Sequence, residues 1–208
     1  MTAGWPAATS FPSFETLWSL NQPVVSQSCT QFKQPNNSPQ ETADLKNAIL
    51  SVGNSTGVDA RFILSIMMQE SKGCVRVWST EYSMVNPGLF QSHTGTGTCN
   101  TGKQTNSGFV PGVVSNPCPS GQILQMVEDG VKGTSTGLGL QALLTQAGDN
   151  TSARFYKAAR MYNSGSVAPD GNLGHGVATH CYSSDVANRL LGKFTGGPTG
   201  CKLDTPSG

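Results

Sequence analysis

Apolar residues recur at intervals of three and four along most of this chain, a period that calls for helices packed on a shared core. The best-marked segment opens at Ser38-Pro39-Gln40-Glu41. There the serine is placed to cap a helix, the glutamate to reach back to it, and the proline to occupy the first turn. Leu45, Ala48, Ile49 and Val52 then fall on one face, and Gly53 and Gly57 mark a stop and a turn. Asp59 is placed to cap a second helix running towards Lys72, with Phe62, Ile63, Ile66 and Met67 inward and Gly73 ending it. Further helices are predicted over 121–131 (Leu124, Val127 and Val131 inward) and near 139–147 (Leu140, Leu143 and Leu144). Two more are predicted over 152–163 (Phe155, Ala158, Ala159 and Tyr162) and after Tyr182 (Val186, Ala187, Leu190, Leu191 and Phe194). The N-terminal strip before them reads as loose. Strand signals are few, residues 74–78 being the best. Between 92 and 120 the composition turns to Gly, Thr, Ser, Asn and Pro, which reads as a functional loop or lid. The expectation is a single, mainly α domain of α+β type with little sheet, over all 208 residues.

Composition narrows the function classes. The net charge is +1 and the 13 Lys and Arg are scattered, so no nucleic-acid partner is expected. Arg154, Lys157 and Arg160 form the one local basic face, read as a solvated helix surface. No run approaches the roughly 18 apolar residues a membrane span requires. Residues 1–13 have neither a basic start nor an apolar run, so they do not read as a secretory leader. The six cysteines, Cys29, Cys74, Cys99, Cys118, Cys181 and Cys201, contain no CxxC pair. That argues against zinc and for three disulfides in an oxidising compartment, outside the cell. Cys99–Cys118 and Cys181–Cys201 are the expected pairs, because each would staple a Gly/Pro-rich segment. Asn36, Asn54 and Asn150 each begin an N-x-S/T sequon, which agrees with secretion. His175 and His180 lie five apart in a Gly-rich loop without a carboxylate pair, so no metal is expected, and no phosphate-cradling loop or cofactor motif is present. A monomer is expected.

Glu70 is the anomaly in this pattern. It follows Met67 by three residues, Ile66 by four and Ile63 by seven, so it lies on the apolar stripe of its own helix. Desolvation on that face disfavours the charged carboxylate, and the negative end of the helix dipole pushes the same way. Both effects prepare an acid that keeps its proton near neutrality, as general-acid catalysis requires. The plainer alternative is a boundary glutamate reaching solvent.

Glu70-Ser71 is followed by Gly88-Leu89-Phe90-Gln91, then by Met161-Tyr162-Asn163-Ser164-Gly165 at a helix end, then by Tyr182. This ordered set, over roughly 59–191, resembles the goose-type lysozymes and soluble lytic transglycosylases of glycoside hydrolase family 23. The resemblance implies a lysozyme-like fold and the roles that follow. Glu70 would protonate the glycosidic oxygen, and Ser71 would hydrogen-bond near the reacting sugar. Gly88 would let backbone approach the glycan, and Gln91 would present its amide to it. Tyr162 and Asn163 would line the far side of the cleft, with Tyr182 close to the acid. Tyr162 also fits the buried stripe of its helix, so packing and ligand contact both remain open for it. Phe90 stands where the family has Met, and Ser164 where it has Ala. Goose-type lysozymes also carry an Asp shortly after the Gln, where this chain reads Ser92-His93, with His93 a candidate cleft residue. A second carboxylate would then come from elsewhere: Glu81 is the nearest candidate, and Glu128, Asp129 and Asp170 are more distant ones.

The resemblance implies a secreted muramidase cutting β-1,4 links between N-acetylmuramic acid and N-acetylglucosamine, with peptidoglycan as its partner. A chitin-cleaving enzyme on the same fold and a non-catalytic glycan-binding protein are the alternatives.

Overall fold

Helix α2 (Pro39–Thr56) forms on the predicted cap. Ser38 Oγ accepts from the Glu41 N–H, and Glu41 Oε2 accepts from the Ser38 N–H at 2.7 Å. Asp59 likewise caps α3 (Ala60–Glu70), whose residues 62–68 are buried without interruption, so this helix is encased by the others. In this computed structural model, which describes residues 4–148 and 150–193, the remaining helices are α1 (Phe14–Gln27), α4 (Ser120–Lys132), α5 (Leu140–Gln146), α6 (Ala153–Ser164) and α7 (Tyr182–Leu190). Four short strands, β1 (Ser79–Glu81), β2 (Val85–Asn86), β3 (Lys103–Thr105) and β4 (Gly108–Val110), make one sheet in the order β2-β1-β3-β4. The β1–β3 pairing is parallel and the two outer pairings are antiparallel. The fold is mainly α with a small sheet, as expected.

One apolar core joins residues of α1 through α7 around α3, with Phe62, Ile63, Ile66 and Met67 fully enclosed. Helix α2 packs on α1, α3 and α4, and α7 packs on α3 and α6. Cys29–Cys74 ties the end of α1 to the chain just past α3, and Cys99–Cys118 closes the sheet region as expected. Cys181 is also disulfide-bonded. The expected Cys181–Cys201 pair lies outside the described residues, as does Phe194. Among the described residues, no helix is long and apolar enough to cross a membrane.

Several expectations need correction. The N-terminal strip contains α1, which buries Leu17, Trp18, Asn21 and Val25 despite Pro23 inside it. Gly53 does not stop α2. It lies within the helix, where a Cβ would stand 3.1 Å from the Val58 carbonyl, and Gly57 in the left-handed conformation ends the helix instead. The strand begins at Ser79 rather than within 74–78. Within 74–78 Arg76 is as buried as Val75 and Val77, because it turns inward to Glu41. Residues 92–120 are not a lid: they supply β3 and β4 and are anchored by a disulfide and by the buried Asn100, whose Nδ2 donates to the Arg76 carbonyl. On α4 the inward face is Ile123, Met126, Val127 and Val131, one position round from the expected stripe, which leaves Leu124 outside. Arg160 is no solvated surface group. It is fully buried, and its guanidinium donates to the carbonyls of Leu173, Val177 and Thr179, because residues 165–181 fold back over α6.

Candidate active site

Four pieces of sequence that lie up to 112 residues apart meet at the end of α3. Glu70, the last residue of that helix, accepts a very short hydrogen bond from the Tyr182 hydroxyl at the start of α7. Ser71 Oγ donates to the Leu89 carbonyl at 2.8 Å and accepts from the Gly73 N–H. The Tyr162 hydroxyl donates to the Phe90 carbonyl at 2.8 Å. The 88–91 turn is thus held from one side by the end of α3 and from the other by α6.

The electrostatics around Glu70 are unusual for a carboxylate. Burial pushes its pKa up to about 7, against the Tyr182 hydrogen bond, which favours the charged form. The same carboxyl, after burial itself, is the next cause that pushes the Tyr162 and Tyr182 phenols far up, so both stay protonated donors. No ion pair involves Glu70 among the described residues.

Beside this centre lies an open cavity of about 340 Å³, within the usual range for small-ligand sites. Gln91, Ser92, His93, Asp129, Thr134, Thr136, Tyr162 and Asn163 are among its lining residues. Glu70 itself is not, but Tyr162 belongs both to the cavity wall and to the surroundings of the acid. Its wall mixes hydroxyls and amides, which can match a sugar's donors and acceptors, with apolar groups such as Leu138, Leu143 and Met161. No protein-family model, curated protein or solved structure matches this chain.

Some expected contacts to a ligand turn out to be internal. Gln91 has a saturated amide: Nε2 donates to the Trp78 and Gly88 carbonyls, and Oε1 accepts from the Thr80 N–H and hydroxyl. It fastens β1 to the 88–91 turn and has nothing left to present to a glycan. Ser71 is buried and spends its hydroxyl on the turn, so it too positions rather than contacts. Gly88 is buried with φ +74, and a Cβ there would stand 2.7 Å from the Gly97 carbonyl and 2.8 Å from Met126. Close protein packing, not a ligand, demands that glycine. Asn163 lines the cavity, but its Oδ1 already accepts from Arg160 and from the Thr179 N–H, which leaves its amide nitrogen for a ligand. His93 lines the cavity and its Nδ1 is hydrogen-bonded with the Thr136 hydroxyl.

Glu81 is not brought to the cavity. On a pleated strand its side chain leaves the face opposite to that of Thr80, which meets Gln91, and its carboxylate pairs with Lys103 at 3.2 Å. Glu128 pairs with Lys132 and Asp170 with His175. Asp129 does reach the cavity wall, where its oxygens accept from the Thr96 and Gly97 N–H groups and from the Gln125 amide. Asp129 was only a distant candidate because the stripe expected on α4 put Leu124 rather than Met126 inward, and Asp129 follows Met126 by three residues. Ser92, Thr134 and Thr136 carried no signal, because a wall built from loops has no period to read. Among the described residues, no cluster of His, Cys, Asp or Glu is arranged to hold a metal.

Proposed function

We propose that this protein is a secreted glycan-cleaving enzyme, a muramidase acting on the β-1,4 links between N-acetylmuramic acid and N-acetylglucosamine in peptidoglycan. The observation that carries the reading is Glu70: a buried carboxyl without an ion-pair partner among the described residues, its pKa raised to about 7 so that a large share keeps its proton near neutrality, beside a cavity whose wall mixes hydroxyls and amides with apolar groups. A surface glutamate is ionised at pH 7 and has no proton to give, whereas this one is poised for general-acid work. The order of Glu70-Ser71, the 88–91 element, Tyr162-Asn163 and Tyr182 supports the choice of peptidoglycan through the likeness to goose-type lysozymes.

In this mechanism the Glu70 proton passes to the glycosidic oxygen as the bond from that oxygen to the anomeric carbon breaks. The Tyr182 O–H bonded to Oε1 stabilises the carboxylate that forms, which keeps the acid strong enough to act. An attacking hydroxyl then bonds to the anomeric carbon and returns a proton to Glu70. The disulfides agree with action outside the cell.

Mass spectrometry of products from purified peptidoglycan, with chitin oligomers alongside, tests the reading. The expected result is cleavage of peptidoglycan, lost by roughly 10²–10⁴-fold or more in Glu70→Gln with the fold intact. A Glu70→Gln variant that keeps a tenth of the rate contradicts the assignment. Cleavage of chitin alone replaces the substrate.

A further inference from the structure

The Tyr182 hydroxyl that meets Glu70 belongs to α7, 112 residues further along the chain, so the start of that helix must be held against the end of α3. The residue beside the acid supplies a tie. Gln69 Nε2 donates to Asp185 Oδ2 at 3.3 Å, and Gln69 Oε1 accepts from Arg189 Nε at 2.8 Å. Tyr182, Asp185 and Arg189 follow one another at intervals of three and four, so they share the face of α7 that packs on α3. Two consecutive residues at the end of α3 thus bind that face at three points. Glu70 is bonded to Tyr182, and Gln69 to Asp185 and Arg189.

The chemistry of α7 selects the residue type. It presents an acceptor and a donor one turn apart, and an amide answers both. A carboxylate at position 69 could not donate to Asp185, and a lysine could not accept from Arg189. Arg189 is buried, and burial lowers its pKa to about 10, so water competes little for its bond to Gln69. The charged and titratable groups around the acid are few. Tyr182 from α7 and Tyr162 from α6 feel the Glu70 charge, Arg189 acts on Tyr182, and Asp185 acts on Arg189.

We propose that Gln69 is a positioning residue for the acid: by binding Asp185 and Arg189 it sets α7 in the register at which the Tyr182 hydroxyl reaches Glu70. The proposal rests on the reading of Glu70 as the acid. When Glu70 gives up its proton, the carboxylate left behind is stabilised by the donor that meets it, and a hydrogen bond weakens steeply as its geometry is lost. Two bonds further along the same face of α7 hold that geometry.

The test follows the Glu70 carboxyl carbon by NMR titration, and the kcat–pH profile on purified peptidoglycan, in wild type, Gln69→Ala, Tyr182→Phe and the double variant. Tyr182→Phe removes the bond that favours the charged form, so the Glu70 midpoint should rise by about one to two pH units. Gln69→Ala should raise it by part of that, about half a unit or more. The alkaline limb of kcat, where Glu70 loses its proton, should move up by the same amount. The double variant should match Tyr182→Phe, because Gln69 acts through that hydroxyl. Gln69→Met, which keeps the bulk without the hydrogen bonds, is read in the same way if Gln69→Ala does not fold. The proposal is overturned if the melting temperature falls while the midpoint and the limb stay or fall, which makes Gln69 a structural tie only. It is also overturned if the double variant rises about half a unit or more beyond Tyr182→Phe. A wild type inert on peptidoglycan, or a fully active Glu70→Gln, removes the catalytic reading instead, and the NMR midpoints still decide whether Gln69 sets the Tyr182 contact.

Discussion

Glu41 and Glu70 are both drawn into the interior at helix ends, and they have opposite fates. Glu41 stands in the first turn of α2, where the helix dipole favours a negative charge. Burial works against its charged form, but Arg76 at 2.5 Å and the Ser38 and Cys118 N–H groups outweigh burial and hold it down at about 2. Glu70 ends α3, where the dipole opposes charge, and it has one hydrogen bond to set against burial. Its value goes up to about 7. One carboxylate is held charged by an arginine and backbone N–H groups; the other, buried with a single hydrogen bond, is pushed towards its protonated form.

The two shifts act on stability with opposite sign. The folded value of Glu41 is below its unfolded value of 4.5, so its contribution is present above pH 4.5 and fades as pH falls towards 2. Glu70 binds its proton more tightly folded than unfolded. Its burial therefore costs nothing below pH 4.5; the cost grows as pH rises from 4.5 towards 7 and is fully present above that.

The largest effect expected from breaking this contrast is at Glu41. Glu41→Gln strands the Arg76 charge, whose side chain has no exposure, and should destabilise the fold by about 3–5 kcal/mol. Denaturant unfolding at pH 7 measures it, and a loss below about 1 kcal/mol would mean that the pair is not the anchor described. Next comes Glu70→Gln, which should raise stability at pH 8 by up to about 3 kcal/mol and change it little at pH 4. A variant no more stable than wild type at pH 8 would show that the carboxyl is not strained there. The smallest effect is expected at Glu81. Its partly exposed pair with Lys103 should contribute no more than about 1 kcal/mol. Glu81→Gln should keep most of the activity that Glu70→Gln loses, and comparable losses in the two variants would make Glu81 a catalytic partner after all.

The two carboxylates also mark what the sequence can disclose. The Ser38–Glu41 box and the placement of Glu70 on an apolar stripe are local patterns, spaced by the helix itself, and both were legible. The partner of Glu41 is 35 residues away and reads as a surface arginine. Helix α1 was hidden by Pro23, whose lost N–H argues for a break that tertiary packing overrides. Strands β3 and β4, with three residues each and mostly polar, are too short to show a period and depend on a disulfide and on side-chain ties to backbone. At the site, residue types were easier to read than roles. Ser71, Gly88 and Gln91 do belong to the segments around Glu70 and the cavity, yet their polar groups and close contacts are turned to the protein.

The central claim is that burial raises the Glu70 carboxyl into the neutral range, and an NMR titration of its side-chain carboxyl carbon tests it most directly, with Glu70→Gln assigning the resonance. The account predicts a midpoint near pH 7, well separated from the other glutamates. A midpoint at or below 4.5, where an ordinary glutamate titrates, would contradict it.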